Sequence, residues 1–542
     1  MDASDTDVVI VGAGPVGLSL ALALDVRGTR VRVVDSNAAP ASTSRTLVVW
    51  ARTLEHFDAL GLDTSRLTKD AIGVHGARVF SHDGTSAREL VDVPFDGAES
   101  AHGMGVFVPQ SVTEQFLLEA CATRGIEVMH GRTLKSSFDR GDSTESVVSG
   151  AHGDEIMRAS YTIGCDGARS TVRHGMGVQF EGETIDDRFV LADVLLDFGD
   201  DGGREAIRVI WHPDGVVAFL PVTRGVWRII ARTAPPTTDA REVSFSEILE
   251  ILQRRANGVI PASALPSSAL WLSEFHVSER VASTFHEGRI FLAGDAAHIH
   301  SPVGGQGMNA GIADAMNLAW KLDLVRQGMA DAALLESYES ERRPAIDRII
   351  RATGFALRAA TGRPKILAKI RNAIVPVLLS STHVQSRLVA GLSQLSLSYA
   401  KGPLARKGGR AGKVRAGSRF PNLIATDDAG TVRPLQRELT YTRFLALGWE
   451  DATSPGGSFS ATQSLLTVLP ERLRAQTRSA LLTSCPRIAG GMEMFFDASG
   501  AAVRALGGGS GSMLVRPDGY IAAVAQNGDP HDIARFLRAA SF

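Results

Sequence analysis

The stretch Asp7-Val8-Val9-Ile10-Val11-Gly12-Ala13-Gly14-Pro15-Val16-Gly17 runs from a short β-branched segment straight into three glycines spaced G-x-G-x-x-G. A buried strand, that spacing and then a helix form the fingerprint of a dinucleotide-binding βαβ unit. Gly12 permits the tight turn, Gly14 lets the backbone approach a pyrophosphate, and Gly17 lets the helix lie close to the strand. The helix is expected from Pro15 to Arg27, with proline in its first turn and Gly28 past its end. Its first N–H groups then face the phosphates. A second strand, Val31-Arg32-Val33-Val34, ends at Asp35, with Ser36 beside it. That carboxylate can accept both hydroxyls of an adenosine ribose and would repel a 2′-phosphate, so FAD or NAD fits and NADP does not. The apolar run Val8 to Leu24 also has the look of an export signal or membrane span. The residues ahead of it, Asp2, Asp5 and Asp7, are acidic where such a signal is basic.

Two later stretches extend the ligand. Tyr161-Thr162-Ile163-Gly164-Cys165-Asp166-Gly167 reads as a strand closed by an Asp-Gly turn, and Gly288 to Asp295 as another strand closed by a carboxylate. After Gly294-Asp295-Ala296-Ala297-His298 and Pro302 comes Gly304-Gly305-Gln306-Gly307-Met308-Asn309, a loop that opens a helix from about Asn309 to Val325. Free N–H groups at that helix start favour negative charge. In this order the three stretches describe one long ligand, FAD. Its pyrophosphate lies at 12–17, a ribityl hydroxyl at Asp295 and the ring at 304–309. No second G-x-G-x-x-G occurs, so the electron donor, NADPH or NADH, is expected to bind transiently across the FAD cleft.

Composition sets the frame. A chain of 542 residues is too long for one core, so two to four domains are expected. A net charge of −2 gives no electrostatic case for nucleic acid. Cys121, Cys165 and Cys485 lie far apart with no C-x-x-C, which suits a reducing cytoplasm. His298 and His300 make an H-x-H pair, but with Asp295 assigned to the cofactor too few ligands remain, so no metal is expected. No uninterrupted apolar run of membrane-spanning length follows the fingerprint.

With these pieces in order, the chain resembles the single-component FAD-dependent aromatic monooxygenases. This is the group of p-hydroxybenzoate and phenol hydroxylases, in the branch of bacterial phenol and aromatic polyketide hydroxylases. The likeness runs from residue 5 to about 355. It takes in Ser44-Arg45-Thr46, Ala51-Arg52-Thr53-Leu54-Glu55, Pro109-Gln110 and Tyr338-Glu339-Ser340-Glu341-Arg342-Arg343-Pro344. It implies an α/β fold with a Rossmann-like FAD-binding domain in 1–180 and 280–400, residues 76–104 lying on the substrate side. It also implies an inserted β-sheet substrate domain in 181–279, a basic, Gly-rich solvated linker in 401–419 and a thioredoxin-like domain without C-x-x-C in 420–542. Arg45 and Gln110 should contact the FAD, and Asp166 should sit where FAD and the nicotinamide meet. Pro302, Gly305 and the backbone of Gly307, Met308 and Asn309 should hold the flavin ring, and Tyr338 to Pro344 should be a structural lock. The implied reaction uses NAD(P)H and O2 to hydroxylate a phenolic or polycyclic quinoid substrate through a C4a-hydroperoxyflavin.

The insertion reads as strands 189–194, 206–211, 216–221 and 227–231, with His212-Pro213-Asp214-Gly215 as a hairpin turn. Trp211, Phe219, Pro221 and Trp227 are its candidates for the pocket face, each also suited to a core. They point to an apolar, multi-ring substrate, and no Arg stands out to pair a benzoate. All five tyrosines fall outside these strands, so His102 and His212 are the acid–base candidates by default. Residues 356–400 look helical. Near the end, Arg516-Pro517-Asp518-Gly519 reads as a hairpin turn, and a last helix starting at Asp529-Pro530 puts Ile533, Phe536, Leu537 and Ala540 on one face. The alternatives are an epoxidase or Baeyer–Villiger oxygenase on the same scaffold, a flavin halogenase whose Trp-x-Trp-x-Ile-Pro segment is absent, and a non-catalytic flavin-bearing scaffold. A homodimer is the expected assembly.

Overall fold

The computed structural model describes residues 6–40, 46–198, 205–233, 243–361, 365–405, 408–454, 456–485, 492–526 and 531–540. Val8–Val11 is buried throughout and pairs in parallel with Val31–Asp35 on one side and Tyr161–Gly164 on the other. Glu127–His130 extends this sheet beyond Val31–Asp35, and Ile290–Leu292 with His286–Glu287 extends it beyond Tyr161–Gly164. The chain therefore winds outward on one side of Val8–Val11 before returning to the other. That reversal opens a crevice at the carboxyl ends of Val8–Val11 and Tyr161–Gly164, where α/β sheets bind ligands. The first helix, Pro15–Asp25, ends two residues earlier than expected, because the Arg27 and Gly28 N–H groups tighten onto Leu24 and Asp25.

A second sheet of eight strands stands over this unit. Its order is His298–Ile299, Ala269–Ala282, Phe180–Leu195, Val226–Thr233, Val217–Thr223, Ile207–Trp211, Gly76–His82 and Ala87–Pro94. The long strand Ala269–Ala282 carries Glu274, His276 and Glu279, which mask its β pattern in the sequence. Strand residues alternate between the two faces of the sheet. One face buries Ile210, Val217, Phe219, Trp227, Ile229 and Ala231 beneath the helix Phe245–Arg255. The other turns Val209, Trp211 and Ile230 toward Phe275, Leu357 and Val303. Ile207 and Leu220 meet Val48 and Trp50 further along that second face.

The C-terminal sheet has seven strands, with Phe444–Glu450 parallel to Thr477–Thr483 and antiparallel to Ser510–Val515. The helix Gly457–Val468 links the parallel pair, and His531–Ala539 closes the domain, a thioredoxin-like arrangement. Ile533, Phe536, Leu537 and Ala540 are buried as expected of its apolar face, and the Asp529-Pro530 start lies outside the described residues. The domain shares its core with the FAD-binding unit: Tyr441, Phe444, Leu465 and Phe536 pack in one cluster with Val8 to Val11 and Trp320.

Segment 401–419 was expected as a solvated linker, and its described residues correct that reading. Arg410–Ala411 pairs with Val414–Arg415, Gly408 accepts the Val524 N–H, and Arg419 is buried against Glu55 at 2.8 Å. Of its described basic residues Arg419 is buried on a carboxylate, while Lys401, Arg410, Lys413 and Arg415 stay exposed.

Candidate active site

The glycine loop is shaped from both sides. Gly12 has φ +110°, and a methyl group there would lie 2.3 Å from the Cys165 carbonyl oxygen across the crevice. A methyl at Gly17 would lie 1.9 Å from the Gly12 carbonyl oxygen, so only glycine lets the helix start this close to the strand. Gly14 backs onto open space, as does Gly307 at the other end of the crevice. Pro15 begins the helix that aims at the first of these spaces. Asp35 braces the loop: Oδ2 accepts the Ala13 N–H and Oδ1 the Asn37 N–H, each at 2.7 Å. A carboxylate has about four acceptor positions, so capacity remains for ribose hydroxyls. Ser36 is exposed beside it.

Asp166 and Asp295 follow the two inner strands. Asp166 Oδ2 accepts the N–H groups of Thr171 and Val172 at 2.7 and 3.2 Å, while Oδ1 is buried without a hydrogen-bond partner. Burial raises its pKa against those hydrogen bonds. Asp295 is exposed in the turn Gly294–Ala296. Gln110 clamps the chain next to 41–45: its Oε1 accepts the Thr46 N–H at 3.3 Å and its Nε2 donates to Glu114 at 2.7 Å. Arg45 lies outside the described residues.

The loop from Pro302 leads into the helix Gly307–Arg326, whose first helical bond runs from Ala310 N–H to Gln306 O. The N–H groups of Gly307, Met308 and Asn309 precede it, which is the polarity an anionic flavin edge needs. The Asn309 side chain does not face the ring. It is fully buried, accepting the Trp50 N–H (2.9 Å) and the Thr53 hydroxyl (2.7 Å) and donating to Val48 O and Gly305 O. Trp50 Nε1 donates to the carbonyls of Gly304 and Gly305 at 3.1 Å, and Gly305 sits over Val48. Gln306 Nε2 bonds Gly304 O and Leu392 O. The ring loop is thus pinned from below, with its backbone left for the ligand.

Sequence reasoning missed the deepest layer. His298 Nε2 meets Asp314 Oδ2 at 2.6 Å, and Asp314 Oδ1 accepts Arg342 Nε at 2.6 Å, all three buried. Burial would raise the Asp314 pKa, but Arg342 and His298 hold it below the usual carboxylate range. Asp314 also accepts the Gly294 N–H at 3.0 Å, tying the aspartate turn to the ring helix. His298 is therefore a structural partner, and no cluster able to hold a metal occurs among the described residues. His300 turns away: its Nδ1 lies 2.9 Å from Ser301 O, so Nδ1 carries the proton, and burial lowers its pKa to about 4. Tyr338 donates to Leu292 O at 2.8 Å, and its neighbours Glu339, Glu341 and Arg342 each pair inside the domain, as a lock requires.

Five pocket and acid–base candidates are corrected. Phe219 and Trp227 belong to the core under Phe245–Arg255, and Pro221, in register with Trp227, shares that face. Alternation predicts two faces without saying which meets the ring loop. His102 pairs with Asp58 of the helix Ala51–Ala59 at 2.6 Å, and His212 lies tilted against His82 at a hairpin tip, ring centroids 4.8 Å apart. Trp211 packs in one cluster with Val303 of the ring loop.

The residues present fit FAD. Open space stands where the pyrophosphate and ring would approach Gly14 and Gly307, and an aspartate flanks each step between them. A family model described as "FAD binding domain" matches residues 5–353. A 6-methylpretetramide 4-monooxygenase of Streptomyces rimosus is 32% identical over 567 residues, covering 99% of this chain and 94% of its own length. A rifampicin monooxygenase of Streptomyces venezuelae is 33% identical, covering 72% of this chain and 79% of its own. The solved anhydrotetracycline hydroxylase from Streptomyces rimosus superposes with a TM-score of 0.76 at 27% identity, covering 99% of each chain. An aromatic hydroxylase from angucycline biosynthesis gives 0.75 at 28%, over 98% of this chain and 99% of its own. The chain belongs to the FAD-binding-domain family of flavin-dependent monooxygenases.

Proposed function

We propose that this monooxygenase hydroxylates a polycyclic phenolic or quinoid substrate held between the ring loop and the open face of the eight-stranded sheet. The observation that carries this is that face: Val209, Trp211, Ile230 and Phe275 are half-buried and apolar, and they pack toward Val303 beside the ring loop. Burying such surface is worth about 25 cal/mol per Å2, so a wide ring system gains more there than a single ring. The relatives named for tetracycline and angucycline intermediates support the same substrate class.

Bound FAD, reduced by NAD(P)H, supplies the oxygen-activating chemistry. The chain's own part is placement. The N-terminus of Gly307–Arg326 favours negative charge at the ring edge. Asn309, Trp50 and Gln306 fix the loop so that this helix start does not shift, and the apolar sheet face excludes water. Asp35, Asp166 and Asp295 would take the cofactor's hydroxyls and the approach of the nicotinamide, and Arg45 and Gln110 would complete the grip. Three unpaired cysteines support a reducing cytoplasm. The exposed apolar row Ile370, Ile374, Val377 and Leu378 supports a homodimer, which sedimentation would test.

The test is turnover against a panel of multi-ring phenols and single-ring benzoates, read as NAD(P)H consumption and product mass. Multi-ring phenols are expected to give the higher kcat/KM and a product heavier by one oxygen. Preference for a simple benzoate would overturn the substrate class.

A further inference from the structure

One helix beside the site is partnered on a single side. Lys365–Leu379 turns Arg371 inward, its Cζ 4.1 Å from the Trp211 ring centroid, and its last residue, Leu379, packs in one cluster with Val48, Trp50 and Phe95. Its outer side carries Ile370, Ile374, Val377 and Leu378, each between 49% and 71% exposed. Their spacing, i, i+4, i+7 and i+8, draws one apolar stripe along the helix. On the preceding helix, Glu336–Thr361, the exposed Phe355 shares a face with the exposed Arg351 and Arg358. A continuous apolar stripe in contact with water marks a surface that meets something.

Charge says what that is. From Arg348 to Thr426 the chain has fifteen lysines and arginines and no aspartate or glutamate, which leaves 42 basic against 59 acidic residues elsewhere. Lys369 adjoins Ile370 on the stripe, and Arg387 is exposed on the next helix, Thr382–Leu392. The strand packed against the stripe's helix, Ala87–Pro94, contributes Glu89 and Asp92, but both are engaged, Glu89 with Arg78. A chain that is acidic elsewhere therefore turns this basic, apolar side toward negative charge. A second copy would bury the same stripe but set like cations against one another, which weakens association. An anionic lipid surface satisfies both features, taking the apolar side chains at the acyl boundary and the cations at the headgroups. At 15 residues the helix is shorter than the roughly 20 that a span needs, so it would lie along the surface.

We propose that the helix Lys365–Leu379 docks this chain on an anionic phospholipid surface, with Ile370, Ile374, Val377 and Leu378 set into the headgroup boundary. The docking stands on these side chains alone. Its use rests on the proposed function: an apolar multi-ring substrate partitions into lipid, and the helix that reaches Trp211 from outside places the open sheet face beside the bilayer from which that substrate enters.

The experiment floats the FAD-loaded protein on density gradients with vesicles of phosphatidylcholine, alone or mixed with phosphatidylglycerol. Wild type should float with the mixed vesicles, stay behind with phosphatidylcholine alone, and bind less at high salt. The double variant Ile374→Asp, Val377→Asp should bind about tenfold more weakly or worse, and Lys369→Glu severalfold more weakly. Val432→Asp, at an exposed apolar position of the C-terminal sheet, should bind as wild type does. Flavin content and Tm should match across the set. Given a multi-ring phenol loaded into mixed vesicles, the double variant should turn over more slowly than wild type, with equal rates on free phenol. No flotation, equal flotation with both vesicle types, or binding unchanged in the double variant and in Lys369→Glu overturns the docking and leaves the proposed function standing. A wild-type dimer that does not float and that falls to a monomer in the double variant overturns it in favour of a second copy. Flotation as expected with no turnover of any free multi-ring phenol overturns the proposed function, and with it the entry from lipid, while the docking stands.

Discussion

The FAD-binding unit meets its two neighbours in opposite ways. Toward the C-terminal domain it presents ions, and nearly every one is answered. Glu341 takes Lys321 at 2.9 Å and Arg516 at 2.7 Å, Arg516 pairs with Asp518, and Arg27 joins Asp323 at 2.8 Å while donating to the Tyr441 and Thr442 carbonyls. The Tyr441 hydroxyl inserts into the ring helix, donating to Met316 O and accepting the Trp320 N–H. Toward the eight-stranded sheet it presents apolar side chains, Val303 and Leu357 among them. The first interface clamps the helix that begins at the ring loop. The second is apolar on both sides. The C-terminal domain thus braces the helix that begins at the ring loop.

The largest effect should come from the clamp. Arg516→Leu leaves Glu341 and Asp518 buried with fewer partners, and removing one member of a buried pair typically costs about 3–5 kcal/mol. The expected result is a large fall in Tm, with flavin lost at lower temperature. A change under about 1 kcal/mol would show that these ions do not hold the interface. Next, the two faces of the eight-stranded sheet separate. Phe219→Ala empties a core site and should cost about 3–5 kcal/mol, leaving KM of the folded fraction unchanged. Trp211→Ala should barely move Tm and should raise KM, and the reverse pattern would mean that the faces are assigned the wrong way round.

A smaller effect follows from pH. Burial, reinforced by the charges of Arg52, Arg342 and Arg419, holds the His56 pKa well below 6.5, and burial lowers that of His300 from 6.5 to about 4. Between those values the unfolded chain binds protons that the folded chain refuses, so stability is full above pH 6.5 and is lost as pH falls toward about 4. Melting temperatures should be level from pH 7 to 8 and decline below 6.5, with a shallower decline in His300→Gln. Smallest of all, His102→Asn removes a partly exposed pair with Asp58 and should cost about 0–1 kcal/mol with kcat unchanged. A collapse of kcat would return His102 to the acid–base role.

The glycine fingerprint, both aspartate turns and the ring loop were legible because the backbone itself makes the demand. At Gly12 and Gly17 no other residue fits, and the residues concerned are neighbours in sequence. The His298–Asp314–Arg342 triad was not, since its members come from a turn, the ring helix and a later helix, and none has a local signature. Period-two alternation gave the strands but not their orientation, which depends on the helix Phe245–Arg255 covering one face.

The central claim is that this chain transfers one oxygen atom from O2 to an aromatic ring laid against the open sheet face. Turnover of a multi-ring phenol under 18O2, with NAD(P)H and the FAD-loaded enzyme, tests it most directly. The account predicts one labelled oxygen per product molecule and NAD(P)H consumption that rises sharply when the phenol is added. Product bearing oxygen from water, or NAD(P)H consumed at the same rate with and without the phenol and no labelled product, would contradict it.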